Sequence, residues 1–527
     1  MKKYAGIILL ILSVQFLQAQ EQLTLDQQAA IYYAKYDYAR AASLYERIAA
    51  KKKDKTKTLV LERLADSYRR INEYAAAADW YAKLLARSDA SPDARLYYGD
   101  MLKSLGKYAE AKAAYSQYAS SDRVKNRIEG CDAAQQWIQS PTPVSIRNVE
   151  RLNTAGADWG ATHYPGGIVF VSDSLYRKQL DNGSRFNRNL YGRTRTDYQN
   201  LYIGDTASYG SVYIEDFSPT FNHSRYHVGP ATFDKDFHTA YVTMTDFDRR
   251  IPAVKENKVK YGYRRLELFS SQKEANGKWG DLTAFPYNKP DEYSVGHAAL
   301  SSDGNTLYFA SDMPGGQGST DIWYSEKQGD GKWGAPVNCG PSINTAEEEE
   351  FPTIAPDGSL YFSSKGWVGM GGFDIFHTTG SKTQWSAPEN LRYPTNSSGD
   401  DFYFVASAAG DTYFASNRPG GKGSDDIYAI TTPEIYTLTN IPPGLVIPFI
   451  GTVCPPLADA CIYIYNKQRQ VGWCFIGQPG REINLTLEKD TDYEIRIHRG
   501  NRVDTIELNT RGMKDGEVLR KEICPGK

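Results

Sequence analysis

Residues 420–428 read GGKGSDDIY, and a glycine-rich turn of this kind lets backbone N–H groups approach an anion. A Walker-type phosphate loop needs Lys followed by Ser or Thr after its last glycine, opening a helix. Here Lys422 lies between glycines, and Asp-Asp-Ile-Tyr follows, which reads as a strand. The stretch also recurs, as GGQGSTDIW at 315–323 and GMGGFDIF at 369–376. A short aromatic strand precedes each: LYFAS at 307–311, LYFSS at 360–364 and TYFAS at 412–416. Asp321, Asp374 and Asp426 are spaced by 53 and 52 residues. Scaffolding repeats in this way; a unique active site does not. The three aspartates are therefore expected to be structural, each accepting N–H bonds from its own turn as Asp does in Asx turns.

Carboxylates are the other candidates for chemistry. Asp158, Glu350, Asp400 and Asp401 each precede the first strand of a predicted repeat, which places them near one mouth of a central channel. Paired acids there would suit glycoside hydrolysis. The competing reading is that they cap turns or line a polar channel without chemistry, and the run EEEE at 347–350 reads as a solvated loop. The chain has seven histidines, and His163, His223, His227, His238 and His297 show no HExxH spacing. There is no GxSxG elbow. No catalytic residue, metal site or cofactor is expected.

The elements that position these residues repeat with a period near 50 residues and several strands per unit, the pattern of propeller blades. Three units are regular. Two more are degenerate: GIVFVSD at 167–173 with NLYIGD at 200–205, and TAYVTMTD at 239–246 with RRLELFSS at 264–271. Long inserts at about 174–199 and 247–263 are the natural places for binding loops on such a scaffold. The expected fold class is multidomain, helical then all-β, with a five-bladed β-propeller over 141–436 and a small β-sandwich over 437–527.

Before the propeller, residues 20–140 are rich in Ala and Tyr. YDYARAASLY at 36–45, NEYAAAADWY at 72–81 and GKYAEAKAAY at 106–115 align at Tyr38, Tyr74 and Tyr108, at Ala41, Ala77 and Ala111, and at Tyr45, Tyr81 and Tyr115. This resembles the tetratricopeptide repeat, a stack of helix pairs. That resemblance implies that Glu62, Asp66, Arg69 and Arg70, with Asp100 and Lys103, line a groove where a partner binds. The plainer reading is a solvated charged face.

The N-terminus, MKKYAGIILLILSVQFLQAQ, has a basic start and an apolar core too short to span a bilayer. It reads as a signal peptide over 1–19, so export is expected. No later run holds 18 apolar residues, and no transmembrane segment is expected. The net charge of −2 argues against a nucleic-acid binder. Cys454, Cys461, Cys474 and Cys524 lack zinc spacing and are disulfide candidates in an oxidising space. Four cysteines allow three pairings. One of these joins Cys461 to Cys474 across a hairpin and Cys454 to Cys524 at the domain ends. Cys131 and Cys339 read as small hydrophobes.

EEEFPTIAPDGSLYFSS, GMGGFDIF, NSSGDDFYF and YFASNRPGGKGSDDIY resemble TolB/WD-like repeats of Bacteroidetes envelope proteins. GTVCPPLADACIYIYNK resembles the carboxypeptidase regulatory-like, transthyretin-type sandwich. With the helical repeats before them, the whole order is similar to PorE-type proteins. The resemblance implies a non-enzymatic, periplasmic, outer-membrane-associated scaffold of the type IX secretion system or gliding apparatus, with envelope proteins as partners. The alternative reading is an envelope glycan- or peptide-binding module. Two departures stand out. The family's OmpA-like peptidoglycan domain is not found before Lys527, and no lipobox Cys follows the signal. Contact with the cell wall is then expected through a partner.

Overall fold

The computed structural model describes residues 23–524 except 119–120, 143, 176–189, 205–212, 223–224, 246–253, 257–258, 263, 408–411, 432–445, 455–460, 469–470, 477–481, 500–501 and 515–516. The expected signal peptide lies outside the described residues, as do large parts of both inserts.

Among the described residues seven α-helices come first: α1 (Leu25–Ala34), α2 (Tyr38–Lys52), α3 (Thr58–Arg69), α4 (Tyr74–Leu85), α5 (Asp93–Ser104), α6 (Tyr108–Tyr115) and α7 (Ser121–Gln139). The repeat spacing has a local cause. Tyr36, Asn72 and Gly106 have φ of 58, 60 and 71°, a left-handed residue that ends one helix and turns the chain into the next. Two residues later Tyr38, Tyr74 and Tyr108 open α2, α4 and α6. Ala41, Ala77 and Ala111 are fully buried, which lets helix axes approach, and Tyr45, Tyr81 and Tyr115 fill the space beside them. Tyr115 needs Gly99 opposite it: a Cβ at Gly99 would lie 2.5 Å from the Tyr115 ring.

Five four-stranded antiparallel sheets follow. Their innermost strands are Asp158–Tyr164, Val228–Phe233, Val295–Leu300, Glu349–Ile354 and Asp401–Val405. Each packs against the next, and the last against the first. The result is a propeller-like β fold. In four sheets the outermost strand comes last in chain order; in the fifth it is Ser145–Asn148, paired with Asp426–Thr431. The two ends of the region are thus stitched together. Every innermost strand carries a register shift. Within those shifts Gly160, Gly229, His297, Phe351 and Tyr403 take positive φ, so each strand bulges at the same level.

A second fivefold device escaped the sequence reading. Asn153, Asn222, Asn288, Asn344 and Asn396 each accept from one backbone N–H and donate to the C=O of the same residue. These residues are Ile427, Leu201, Leu268, Ile322 and Ile375, in the third strand of each sheet, at 2.8–3.1 Å. The asparagine side chain acts as a strand extension: it pairs the N–H of the residue just beyond the outer strand's ladder and shares that residue's C=O with a backbone N–H, as Leu391 N–H does at Ile375. The two units read as degenerate keep this device intact.

The C-terminal region packs a three-stranded on a four-stranded sheet. Phe449, Ile462, Ile464, Leu487, Tyr493, Ile495 and Ile497 fill the space between them. Cys454 and Cys524 form a disulfide just beyond the parallel pair Val446–Val453 and Leu519–Ile523. Cys461 lies opposite Ile476 and Cys474 opposite Tyr463, so those two are not direct cross-strand partners. Cys131 and Cys339 are free and buried. Among the described residues no helix is long and apolar enough to cross a membrane.

Candidate functional site

The glycine-rich tips close on themselves. Asp321 accepts from the N–H of Gln317 at 2.5 Å and of Gly318 at 3.2 Å. Asp374 takes Met370 and Gly371 at 2.8 and 3.0 Å. Asp426 takes Lys422 and Gly423, the latter at 2.9 Å. All three carboxylates are buried. The N–H groups that a phosphate would need are thereby occupied. Lys422 Nζ points elsewhere, donating to the carbonyls of Glu150 and Asn153 at 3.1 and 2.7 Å.

The mouth acids fall into two groups. Asp158, Glu349 and Asp401 begin their strands at equivalent positions and do the same work. Each accepts the backbone N–H and the hydroxyl of the residue four earlier: Thr154, Thr345 and Ser397. Asp401 also meets Arg418 at 2.6 Å. Burial pushes Asp158 up to about 6 and Glu349 to about 7. The run 347–350 is not a solvated loop, correcting that expectation. Glu347 meets Arg127 and Glu348 meets Lys365, Glu349 is enclosed as described, and Glu350 faces His297 Nδ1 at 3.6 Å. Glu349 and Glu350 open the strand, and alternation along it sends these two to different partners.

Around the axis, rings from separate sheets meet. Trp159 lies 5.8 Å from Phe351, 5.8 Å from Phe402 and 6.0 Å from Tyr403, and His297 stacks on Phe351 at 4.4 Å. Burial lowers His297 to about 4, and burial with Glu348 nearby raises Glu350 to about 7. Such a pair shares little charge at neutral pH. Two acids flanking a sugar need open space between them; here aromatic rings from several sheets hold the centre. Among the described residues, no group of three or more His, Cys, Asp or Glu is placed to hold a metal ion.

Of the residues predicted to line a partner groove, Arg70, Asp100 and Lys103 lie on the edge of the helical stack that meets the sheets. Tyr74, at the start of α4, donates to Asp400 at 2.8 Å and accepts from Asn417 at 2.8 Å. Asn126 of α7 donates to the Gly366 carbonyl at 2.7 Å. A Cβ at Gly130 would lie 2.3 Å from the Gly369 carbonyl, so α7 rests directly on the fourth sheet's tip. Met370 of that tip enters a helical core with Leu102, Tyr108 and Ala111. Arg193, in the first insert, donates to the Arg70 carbonyl at 2.8 Å and accepts from the Ala39 N–H at 3.2 Å.

Charges on this edge are consumed within the chain. Lys103 is only 7% exposed, with Asp374 as its main opposite charge. Burial lowers the Lys103 ammonium and pushes Asp374 up to about 6, each against the pull of the other. Asp100 accepts from Tyr115 at 2.8 Å and from Arg127 at 3.1 Å, and Arg127 reaches on to Glu347 at 3.1 Å. Asp66 is buried among Tyr33, Arg69 and Arg70. Burial alone would raise Asp66, but the two arginines hold it below its usual value. Arg69 lies over the Tyr97 ring. Glu62 is half-buried on α3. An open groove carrying Lys103 and Asp66 to a partner is therefore corrected: both side chains are interior.

No family model and no curated protein matches this chain. Among solved structures it is similar to a puromycin hydrolase at 12% identity and TM-score 0.27, over 68% of this chain and 53% of that one. It therefore spans about half the length of that hydrolase. It is also similar to an α-L-arabinofuranosidase from Lactobacillus brevis, at 10% identity and TM-score 0.32, over 56% and 93% of the two chains. A third is a protein of unknown function from Dyadobacter fermentans, at 11% identity and TM-score 0.31, over 54% and 98%. Likenesses of this size bear on neither family nor chemistry, and the account rests on the geometry.

Proposed function

We propose that this chain is a non-enzymatic, periplasmic, outer-membrane-associated scaffold. It joins three tetratricopeptide-type helix pairs, a five-bladed propeller and a transthyretin-type sandwich, and it serves protein–protein contacts of the type IX secretion or gliding kind. One observation carries the reading: the mouth of the propeller-like region is used to seat the helices. Tyr74 binds Asp400, Arg127 binds Glu347 and Asn126 binds Gly366, so the acids nearest a would-be active site hold a domain in place. A scaffold needs its parts fixed relative to one another and its outer faces free.

Affinity capture with the full chain from native envelopes tests this. Secretion-ring or outer-membrane proteins recovered at stoichiometric levels are the expected result. Recovery of a bound oligosaccharide without protein partners would favour a glycan-binding module instead, and turnover of a glycoside substrate would overturn the reading.

A further inference from the structure

The opposite ends of α2 and α4 are open. A cavity of about 830 Å³ lies there, between the last turns of these two helices and the 3₁₀ turn Lys53–Lys55. Arg47, Lys53, Lys83 and Arg87 line it, against Glu46 and Asp54. Lys51, Lys55 and Lys57 stand exposed on the same stretch of chain. The floor carries Trp80, with Lys83 Nζ 3.8 Å from its ring centroid, and Leu61. Arg87 donates to the Asp54 carbonyl at 3.1 Å, which ties the turn to α4 and holds the cavity's shape. Lys53 has φ 48° and ψ −124°, a conformation unfavourable for a residue with a Cβ; it directs the chain outward at the rim.

We infer that this cavity is a docking site for an acidic segment of a partner polypeptide. The inference rests on the scaffold reading and names the chemistry of its partner. The positive charge is concentrated in a chain whose net charge is −2, so it is a local feature and selects for carboxylates. The arginines offer planar forks that grip a carboxylate with two donors. The concave shape admits a protruding chain rather than a flat lipid surface. The half-buried indole gives an apolar or aromatic side chain of that segment a place to pack, beside a cation already seated on the ring. Each exposed pair is weak alone, so binding comes from several together and falls with salt.

The probe is a synthetic twelve-residue peptide of Asp, Glu and Phe, labelled for fluorescence anisotropy, with a Lys-for-Asp/Glu counterpart as control. The full chain is expected to bind the acidic peptide and not the basic one. The double variant Arg47→Glu/Lys53→Glu, which leaves the Arg87–Asp54 tie in place, is expected to weaken binding about tenfold or more, with an unchanged melting temperature. Both residues are surface cations, and the milder Lys83→Gln serves if the double variant melts early. Equal binding of the acidic peptide by wild type and variants overturns the site. So does binding of anionic lipid vesicles or a polyanionic glycan through these residues without peptide binding. Envelope capture separates the two levels: partners retained equally by the variant leave the scaffold reading standing and remove this surface from it.

Discussion

The two ends of the helical stack carry similar residues and do opposite things with them. At one end Asp66, Arg69 and Arg127 are paired within the chain, and Lys103 is buried with Asp374 as its main opposite charge. At the other, Arg47, Lys53, Lys83 and Arg87 surround an open cavity. The difference teaches that charge on a repeat helix says little until its neighbour is known. Buried charge must find a partner, because removing one side leaves an uncompensated ion. At the open end the cations outnumber Glu46 and Asp54, and the surplus remains available. The closed end is structural in consequence, and the open end is where a second molecule has something to bind.

The comparison sharpens most at the sheet tips. Asp374 and Asp426 brace equivalent turns, but only Asp374 lies beneath a buried lysine. Asp374→Ala is expected to cost about 3 kcal/mol, since Lys103 loses its main opposite charge. Asp426→Ala should cost about 1–2 kcal/mol, the scale of its bonds from two backbone N–H groups and the Asn148 amide, with no buried cation among them. Urea denaturation measures both, and equal losses would mean that the helix–sheet contact adds nothing to Asp374.

A smaller effect is expected beneath the same contact. Asn396→Ala leaves the Ile375 N–H and C=O without their side-chain partner, a cost of about 2 kcal/mol. Asn222→Ala, in a sheet the sequence presents as degenerate, should cost about the same. A negligible loss at Asn222 would show that the first sheet does not rely on the shared device.

These residues mark the limit of what the sequence displays. The aromatic strands and glycine-rich tips of the last three sheets are legible because several residues repeat together. The helix pairs are legible because Tyr and Ala must recur wherever helices pack alike. The asparagines are single residues at unequal spacing, preceded by SPTF, FPY, GPSI, YPT and ERL; four follow a Pro by two or three residues, a signal too short to stand out until the sheets align them. The docking of helices on sheets is less visible still. Tyr74 and Asp400 are 326 residues apart, and neither residue type announces a partner. The acidic run 347–350 misleads for a related reason: composition suggests a solvated loop, whereas Glu347 and Glu348 meet cations from distant segments and Glu349 and Glu350 open a strand that turns them to different partners.

The smallest expected effect concerns Glu350. Its folded pKa of about 7 stands above the ordinary 4.5, so the folded state holds the proton more tightly than the unfolded chain. Its contribution to stability is present below about 4.5 and is lost as pH rises through about 7. Glu350→Gln should therefore raise the melting temperature slightly at pH 8 and leave it unchanged at pH 4. The effect is kept modest by the 23% of its side chain that remains open to water. Glu348, Lys365 and Asp312 are the charges that bear on it, and His297, neutral over this range, faces it. A variant less stable at pH 8 would show that the carboxylate is bound by a group in the folded state.

The closed edge is tested most directly by locking it. A Cβ at Gly106 would lie 3.8 Å from that of Ser398, the separation of a disulfide. Gly106→Cys with Ser398→Cys, in a chain whose Cys131 is replaced by Ala, places a side chain at the left-handed Gly106 and costs about 1 kcal/mol; with the reduced variant shown to fold as the wild type, it is expected to oxidise to an intramolecular bridge between the helices and the sheets. The locked chain should capture the same envelope partners as the wild type. Failure of the bridge to form, or loss of those partners on locking that returns on reduction, would contradict a stack that rests on the sheets and binds through its other end.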